Sequence, residues 1–473
     1  MTDTYATARQ MVADLKAKKV SARELLNAHL ARNDQVHKAI NAVVDTDIAR
    51  AQKDAQAIDD ARVKGEVPGA LAGLPLTIKD GFDVENMPAL AGNPMLKDRP
   101  KDCADADVVA ATRKAGAVIW GKTNVPFMLG DLQTYNAIYG TTNNPYDVTK
   151  GPGGSSGGSA AALATGVTPL EIGSDIGGSL RHPANFCGVT ALKTTQHSLS
   201  GRGHVPPGPD TYAEGDLGVF GPMARNVDDL KLMWSVLKGT PEKKRADIKG
   251  AHVALWNEEA SWPLMRDVKA ATERAGKALA AAGAHVEHAK PDIDGAKMMD
   301  FYLNILVPTI SAGMPEEVLA AMEANRAADK KAAAAGDEGA KQRLRATATF
   351  REVAAAHVEQ QRHKDKLAAF FAKYDAILMP ISMSTPFAHQ QEPAFADRVL
   401  TIDNVQVPYP KILEWISLAT SCHAPALAVQ AGQTDDGLPI GVQVVGPWNG
   451  EDRLFDFAFA IEDGLGGFKR PNL

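Results

Sequence analysis

Between positions 151 and 159 the chain reads Gly-Pro-Gly-Gly-Ser-Ser-Gly-Gly-Ser, and this run limits the fold more than any other stretch. Its glycines open backbone angles that a Cβ atom closes to other residues. Taken alone, such a run is compatible with a flexible linker or a phosphate cradle. A linker fits poorly, because strand-like and helix-like segments continue on both sides. A phosphate cradle fits poorly too, because the lysine of a G-x-x-x-x-G-K-[ST] loop is missing. What remains is a tight polar turn able to hold two hydroxyls deep in a site.

The surrounding pattern predicts an α/β protein. Residues 74–78 read as a short buried strand between Gly73 and Asp80-Gly81. Residues 105–115 read as a helix with Val108, Val109 and Thr112 on one face, closed by Gly116. Residues 117–120 then read as a strand, and 159–165 as a helix. Further on, strands over 251–256 and 284–287 flank a helix over 265–282, a strand covers 438–446, and a last helix starts at Glu451. Alternation of this kind argues for a sheet covered by helices. The first 60 residues read as N-terminal helices, one of them opened by the capping box Ser21-Ala22-Arg23-Glu24 ahead of Leu25, Leu26 and Leu30. Residues 315–372 are rich in alanine and charge with helical periodicity, the pattern of solvated helix faces.

Composition narrows the function. The net charge of −6 argues against a phosphate-binding face and sets the expectation of no nucleic-acid partner. Cys103, Cys187 and Cys422 form neither a CxxC pair nor an even disulfide set, so they read as small buried hydrophobes. No apolar run reaches the roughly 18 residues that a membrane span needs. The N-terminus lacks the apolar segment of a signal peptide. The expectation is a cytoplasmic enzyme with no membrane partner.

Two more islands carry chemistry. In Leu76-Thr77-Ile78-Lys79-Asp80 a lysine ends an apolar strand, a place where a buried amine needs a reason. Its plainer reading is a packed stem with a solvated head. In Gly173-Ser174-Asp175-Ile176-Gly177-Gly178-Ser179-Leu180-Arg181-His182-Pro183-Ala184, the paired glycines let Ser179 sit on a tight turn. Successive amide N–H groups on such a turn can converge as an oxyanion hole.

Together the three islands resemble the amidase signature family, stand-alone type. Its members carry GGSSGGS, then G-S/T-D-x-G-G-S-[IL]-R-x-P, with an upstream lysine in an I-K-D context, all present here in that order. Segments 121–124, 139–145, 221–225 and 437–443 look like further landmarks of the family. The resemblance covers most of the chain and is weakest over about 290–400. One departure is the absence of proline after Ala191-Leu192-Lys193, where relatives often have G-L-K-P-T.

The resemblance implies a single domain over 1–473 built on a twisted mixed sheet with helices on both faces. Its catalytic core would span 70–240, and the helical segment 296–372 would form a lid over the substrate entrance. It implies Ser179 as nucleophile, Ser155 after a cis peptide as the bridge, and Lys79 as the base. Ile176, Gly177, Gly178 and Ser179 would supply oxyanion amides, and Asp175 and Arg181 would brace the turn. Family position alone puts Phe127, Met128, Leu129 and Gly130 at the substrate. No metal or organic cofactor is implied, and His182 and His423 read as structural.

A serine hydroxyl needs a base, and Ser–Lys pairs are an established alternative to Ser–His. Lysine serves only when neutral, and burial lowers its reference pKa of about 10.4 toward neutrality. The resulting expectation is hydrolysis of amides, with carbamates (urethanes) and aryl esters also in range. The partner expected is a small-molecule amide or carbamate, with a homodimer as the candidate assembly.

The alternatives come from different classes. One is the A subunit of a glutamine-dependent tRNA amidotransferase that releases ammonia for a partner protein. Residues 401–414, with Val407-Pro408-Tyr409 and Trp415, look more like the stand-alone type. A second is an α/β-hydrolase esterase using Ser156 in Gly154-Ser155-Ser156-Gly157-Gly158, although turn chemistry rather than a strand precedes it. A third is a binding protein that kept the fold and lost catalysis, which the intact Lys79, Ser155 and Ser179 argue against.

Overall fold

The computed structural model describes residues 2–66, 69–206, 208 and 214–473. Strands β1 (Val43–Thr46), β2 (Pro75–Lys79) and β3 (Val118–Thr123) form a small sheet in the order β1-β3-β2. In it β3 runs antiparallel to β1 and parallel to β2, with Lys79 opposite Thr123. Every residue of β2 and β3 is buried. That is why their sequences run nearly continuously apolar instead of alternating. Two short strands, β4 (Tyr135–Asn136) and β5 (Gly140–Thr141), pair as a hairpin beyond them.

The large sheet takes β6 (Leu170–Asp175), β7 (Thr190–Lys193), β8 (Val219–Ala224), β9 (His252–Leu255), β10 (His285–His288) and β11 (Ala376–Pro380). After a separate hairpin of β12 (Val399–Ile402) and β13 (Val405–Pro408), β14 (Ala426–Gln433) and β15 (Pro439–Val445) complete it. The order is β10-β9-β11-β15-β14-β7-β8-β6. The three strands at the β10 end are mutually parallel and the remaining pairs are antiparallel, so the sheet is mixed. Gly221 in β8 shows how closely the strands approach: a Cβ there would stand 1.9 Å from the Leu192 carbonyl oxygen of β7.

Helices flank this sheet. Arg266–Ala281, Val227–Lys238 and Glu451–Leu465 pack on it and on one another. The short helices Gly157–Ala164 and Arg181–Phe186 are buried along their whole length. Near the N-terminus, helix Ala22–Ile40 is opened by Ser21, whose hydroxyl accepts from the Glu24 N–H while the Glu24 carboxylate accepts from the Ser21 N–H. A strand, β1, interrupts the helices there before Ile48–Val63. One apolar cluster runs from Ala8 to Ile461 and joins both sheets, which makes the chain one α/β domain. Residues 295–371 form the helices Gly295–Ser311, Glu316–Ala324, Arg326–Ala334, Glu338–Ala346 and Phe350–Phe371. All three cysteines are free. Among the described residues no helix is long and apolar enough to cross a membrane.

Candidate active site

The small sheet meets the large one where β2 lies beside β6, and the polar islands of the sequence converge there. Lys79 is the last residue of β2. Ser155 follows a cis Gly154–Ser155 peptide, and Ser156 is the residue from which helix Gly157–Ala164 starts. Ser174 and Asp175 end β6, and Ser179 sits on the turn between β6 and helix Arg181–Phe186. That turn requires glycine at 178: its φ is +91°, and a Cβ would stand 2.4 Å from the His182 ring.

Lys79 is fully buried, and its Nζ lies 2.7 Å from Ser155 Oγ, 2.8 Å from Ser156 Oγ and 2.9 Å from Ser174 Oγ. Burial takes its pKa from 10.5 down to about 7, against the pull of Asp175 and Glu171. The plainer reading, a lysine with its head in water, is excluded by this burial. Ser179 is also buried, and its carbonyl accepts from the Ser156 N–H at 3.2 Å. Its hydroxyl makes no hydrogen bond among the described residues, so Lys79 and Ser155 are joined while Ser179 stands beside them unpaired.

Asp175 organises the turn that carries Ser179. Its carboxylate accepts from the N–H of Gly178 at 2.9 Å and of Leu180 at 3.0 Å, and from Arg181 Nη2 at 2.9 Å and Nε at 3.1 Å. Burial alone would raise its pKa, but the Arg181 charge holds it well below the usual carboxylate range. Arg181 in turn donates to the Ile416 carbonyl, Thr420 Oγ1 and Gln443 Oε1. This geometry corrects the expected oxyanion set. The Gly178 N–H is committed to Asp175, whereas the N–H groups of Ile176, Gly177 and Ser179 have no protein acceptor among the described residues.

Ser156 does not stand on a strand-to-helix elbow: residues 151–156 are irregular chain ending in a bend, and its hydroxyl faces Lys79. The esterase alternative therefore fails on geometry. The segment 127–130 is a short turn at the surface, with Phe127 56% exposed. Met128 and Leu129 pack on a small separate cluster of Ala89, Ala91 and Val205. His182 is fully buried, and His423 contacts Asp216, Gln360 and Lys364 away from Ser179.

Three residues at the site escaped the sequence reading. Glu171 of β6 is fully buried behind Lys79 and accepts from Thr77 Oγ1 at 2.5 Å. Burial pushes its pKa up to about 7 despite hydrogen bonds from Thr77, the Ile172 N–H, Ser159 and Thr123. An acid inside the apolar run Leu170-Glu171-Ile172 was the available signal. Tyr302, from helix Gly295–Ser311, donates to the Ile176 carbonyl at 2.7 Å and so props the Ser179 turn from outside the sheet. His204 reaches Ser174 Oγ with Nε2 at 2.9 Å; no sequence pattern marked either of these two. Lys193, at the point where the proline is missing, is fully buried and donates to the Thr194 and Ala424 carbonyls. Among the described residues no group of three or more His, Cys, Asp or Glu is placed to hold a metal ion.

Comparison with known proteins finds relatives over nearly the whole chain. A family profile described as Amidase matches residues 24–455. The chain is 30% identical to the A subunit of the glutamyl-tRNA(Gln) amidotransferase from Corynebacterium jeikeium (strain K411), over 98% of this chain and 96% of that one. It is 29% identical to the protein of the same name from Alkaliphilus metalliredigens (strain QYMF), over 96% and 95%. Among solved structures, one from a vestigial complex bearing on the origins of an s-triazine catabolic enzyme superposes with a TM-score of 0.81 at 26% identity, over 98% of this chain and 100% of that one. A bacterial aryl acylamidase shares the fold with a TM-score of 0.81 at 22% identity, over 97% and 96%.

These relatives correct the expectation about partners. A small-molecule amide or carbamate as sole partner, with no nucleic acid and a homodimer as the assembly, does not match proteins named as one component of a tRNA amidotransferase.

Proposed function

The chain belongs to the amidase family and is a hydrolase of amide C–N bonds, and we propose that it works through an acyl-enzyme on Ser179 with Ser155 and Lys79 as a proton relay. The observation that carries this is the buried Lys79 amine, 2.7 Å from Ser155 Oγ and with its pKa brought to about 7. Rotation of the Ser179 side chain toward Ser155 closes the relay; catalytic hydrogen bonds commonly tighten only with substrate in place. Ser179 Oγ then attacks the carbonyl carbon, its proton passing to Ser155 as Ser155 gives its own to Lys79. The oxyanion forms against the open N–H groups of Ile176, Gly177 and Ser179, where each donor lowers the barrier by roughly 3–4 kcal/mol. When the C–N bond breaks, the proton returns through Ser155 to the departing nitrogen. Water repeats the sequence on the acyl-enzyme and regenerates Ser179.

For the substrate, we propose the side-chain amide of glutamine, with ammonia handed to a partner protein of a tRNA-dependent amidotransferase. End-to-end similarity to proteins of that name supports this reading. We also propose that residues 296–372 roof the substrate entrance, which the Tyr302 contact with Ile176 supports.

A serine-directed fluorophosphonate followed by peptide mapping tests the chemistry. An adduct on Ser179 is the expected outcome, and an adduct on Ser155, Ser156 or any other residue refutes it. Glutaminase activity that appears or rises when candidate partner proteins are added supports the substrate reading. Fast hydrolysis of aryl amides by the chain alone, with glutamine ignored, refutes it.

A further inference from the structure

Lys79 Nζ has four oxygen neighbours: Ser155 Oγ at 2.7 Å, Ser156 Oγ at 2.8 Å, Ser174 Oγ at 2.9 Å and the Ser174 carbonyl at 3.3 Å. A neutral amine offers two N–H donors and one lone pair. Which neighbour faces the lone pair decides whether Ser155 can pass a proton to it. The carbonyl has no hydrogen to give. Ser156 Oγ accepts from Lys79 at 2.8 Å and has the Ser174 carbonyl, at 3.5 Å, as an acceptor for its own hydrogen. Ser155 and Ser174 remain as rivals.

His204 settles that rivalry. Its Nδ1 lies 3.2 Å from the Pro206 carbonyl oxygen, which only accepts, so Nδ1 carries the hydrogen. In the neutral ring Nε2 is then an acceptor, and it faces Ser174 Oγ at 2.9 Å. Burial, together with the Lys79 charge, pushes the ring's pKa down to about 3 and keeps it neutral. The Ser174 hydroxyl therefore donates to His204 and accepts from Lys79. Neighbours on two sides fix the ring in this orientation. It meets Phe82 edge-on at 4.8 Å and Phe220 at 4.9 Å between centroids, and the adjoining Val205 N–H donates to the Gly81 carbonyl at 2.7 Å.

We propose that His204 is a positioning residue that turns the Ser174 proton away from Lys79, leaving the Lys79 lone pair to Ser155 alone. The inference rests on the Ser179–Ser155–Lys79 relay proposed above. Without His204 the Ser174 hydroxyl is free to rotate and donate to Lys79, competing with the productive bond.

The rate at which a fluorophosphonate modifies Ser179 tests this without knowledge of the natural substrate. Replacing one buried hydrogen-bond acceptor predicts that His204→Leu slows modification roughly 5- to 30-fold. His204→Gln keeps an acceptor for Ser174 and a donor for Pro206, so its rate returns to within about 3-fold of the unaltered chain. In a Ser174→Ala background the same His204→Leu change adds no more than about 2-fold, because the hydroxyl it controls is gone. Thermal melting run alongside separates altered chemistry from loss of fold. Losses that multiply in the double variant, or a folded His204→Gln chain as slow as His204→Leu, overturn the inference while leaving the relay intact. A chain that never labels at Ser179 overturns both.

Discussion

The turn that carries Ser179 and the helical segment 295–371 handle charge in opposite ways. Around Ser179, the charged side chains Lys79, Glu171, Asp175 and Arg181 are all buried and answered by named partners. In 295–371, ion pairs such as Lys341–Glu338 and Arg362–Glu359 sit in solvent, helix Glu316–Ala324 buries no residue, and Phe350 is 90% exposed. Desolvated charge is costly to unpair, whereas solvated ion pairs contribute little. The first region therefore tolerates almost no substitution and the second tolerates many. Tyr302 joins the two.

The largest effect is expected at Lys79. Lys79→Ala lowers amide turnover by roughly 10³-fold or more, and lowers ester turnover less, since an alkoxide leaves without needing a proton as much as an amine does. Equal losses on matched amide and ester substrates break the relay. In the unaltered chain, Lys79 is protonated and inert below its pKa of about 7 and neutral above it. Activity therefore rises with pH through that value and then levels, a profile that steady-state rates across the pH range will show.

Next comes Arg181→Met, which leaves Asp175 charged and buried without its main partner. A loss of about 3–5 kcal/mol in denaturant-measured stability is expected. A loss below about 1 kcal/mol, the size typical of an exposed pair, would erase the contrast between the regions. Tyr302→Phe removes one hydrogen bond to the Ser179 turn and should cost about 0.5–1.5 kcal/mol, with a drop in turnover that places 295–371 in contact with catalysis. Smallest is Phe350→Ala, expected within about 0.5 kcal/mol of the unaltered chain in the same melt. Deletion of 325–340 should change substrate preference more than stability, and unchanged preference removes the proposed roof.

Much of the site was legible because its residues are close in sequence or carried by glycine-rich turns. Ser155, Ser179, Asp175 and Arg181 fall in two short islands, and the lysine ending an apolar strand stood out by type. What stayed hidden is long-range. Tyr302 reaches the turn from 126 positions away and His204 reaches Ser174 from 30, with no local pattern to announce either contact. Gly178 was assigned to the oxyanion set because amides on a turn look alike in sequence; only the direction of the Asp175 carboxylate tells them apart. The five expected strands lie within a few residues of β2, β3, β9, β10 and β15, and in β2, β3 and β15 the burial of every residue leaves a plain apolar signature. Net charge misled about partners: a value of −6 bears on direct contact with phosphates and carries no information about a nucleic acid met through another protein.

The bond between Arg181 and Gln443 spans 262 positions, and Thr420 and Ile416 anchor the same guanidinium. A polypeptide made only as far as Ser179 carries Lys79, Ser155 and Ser179 but none of these three partners of Arg181. Holding the Arg181 guanidinium in full therefore requires the chain through Gln443 of β15.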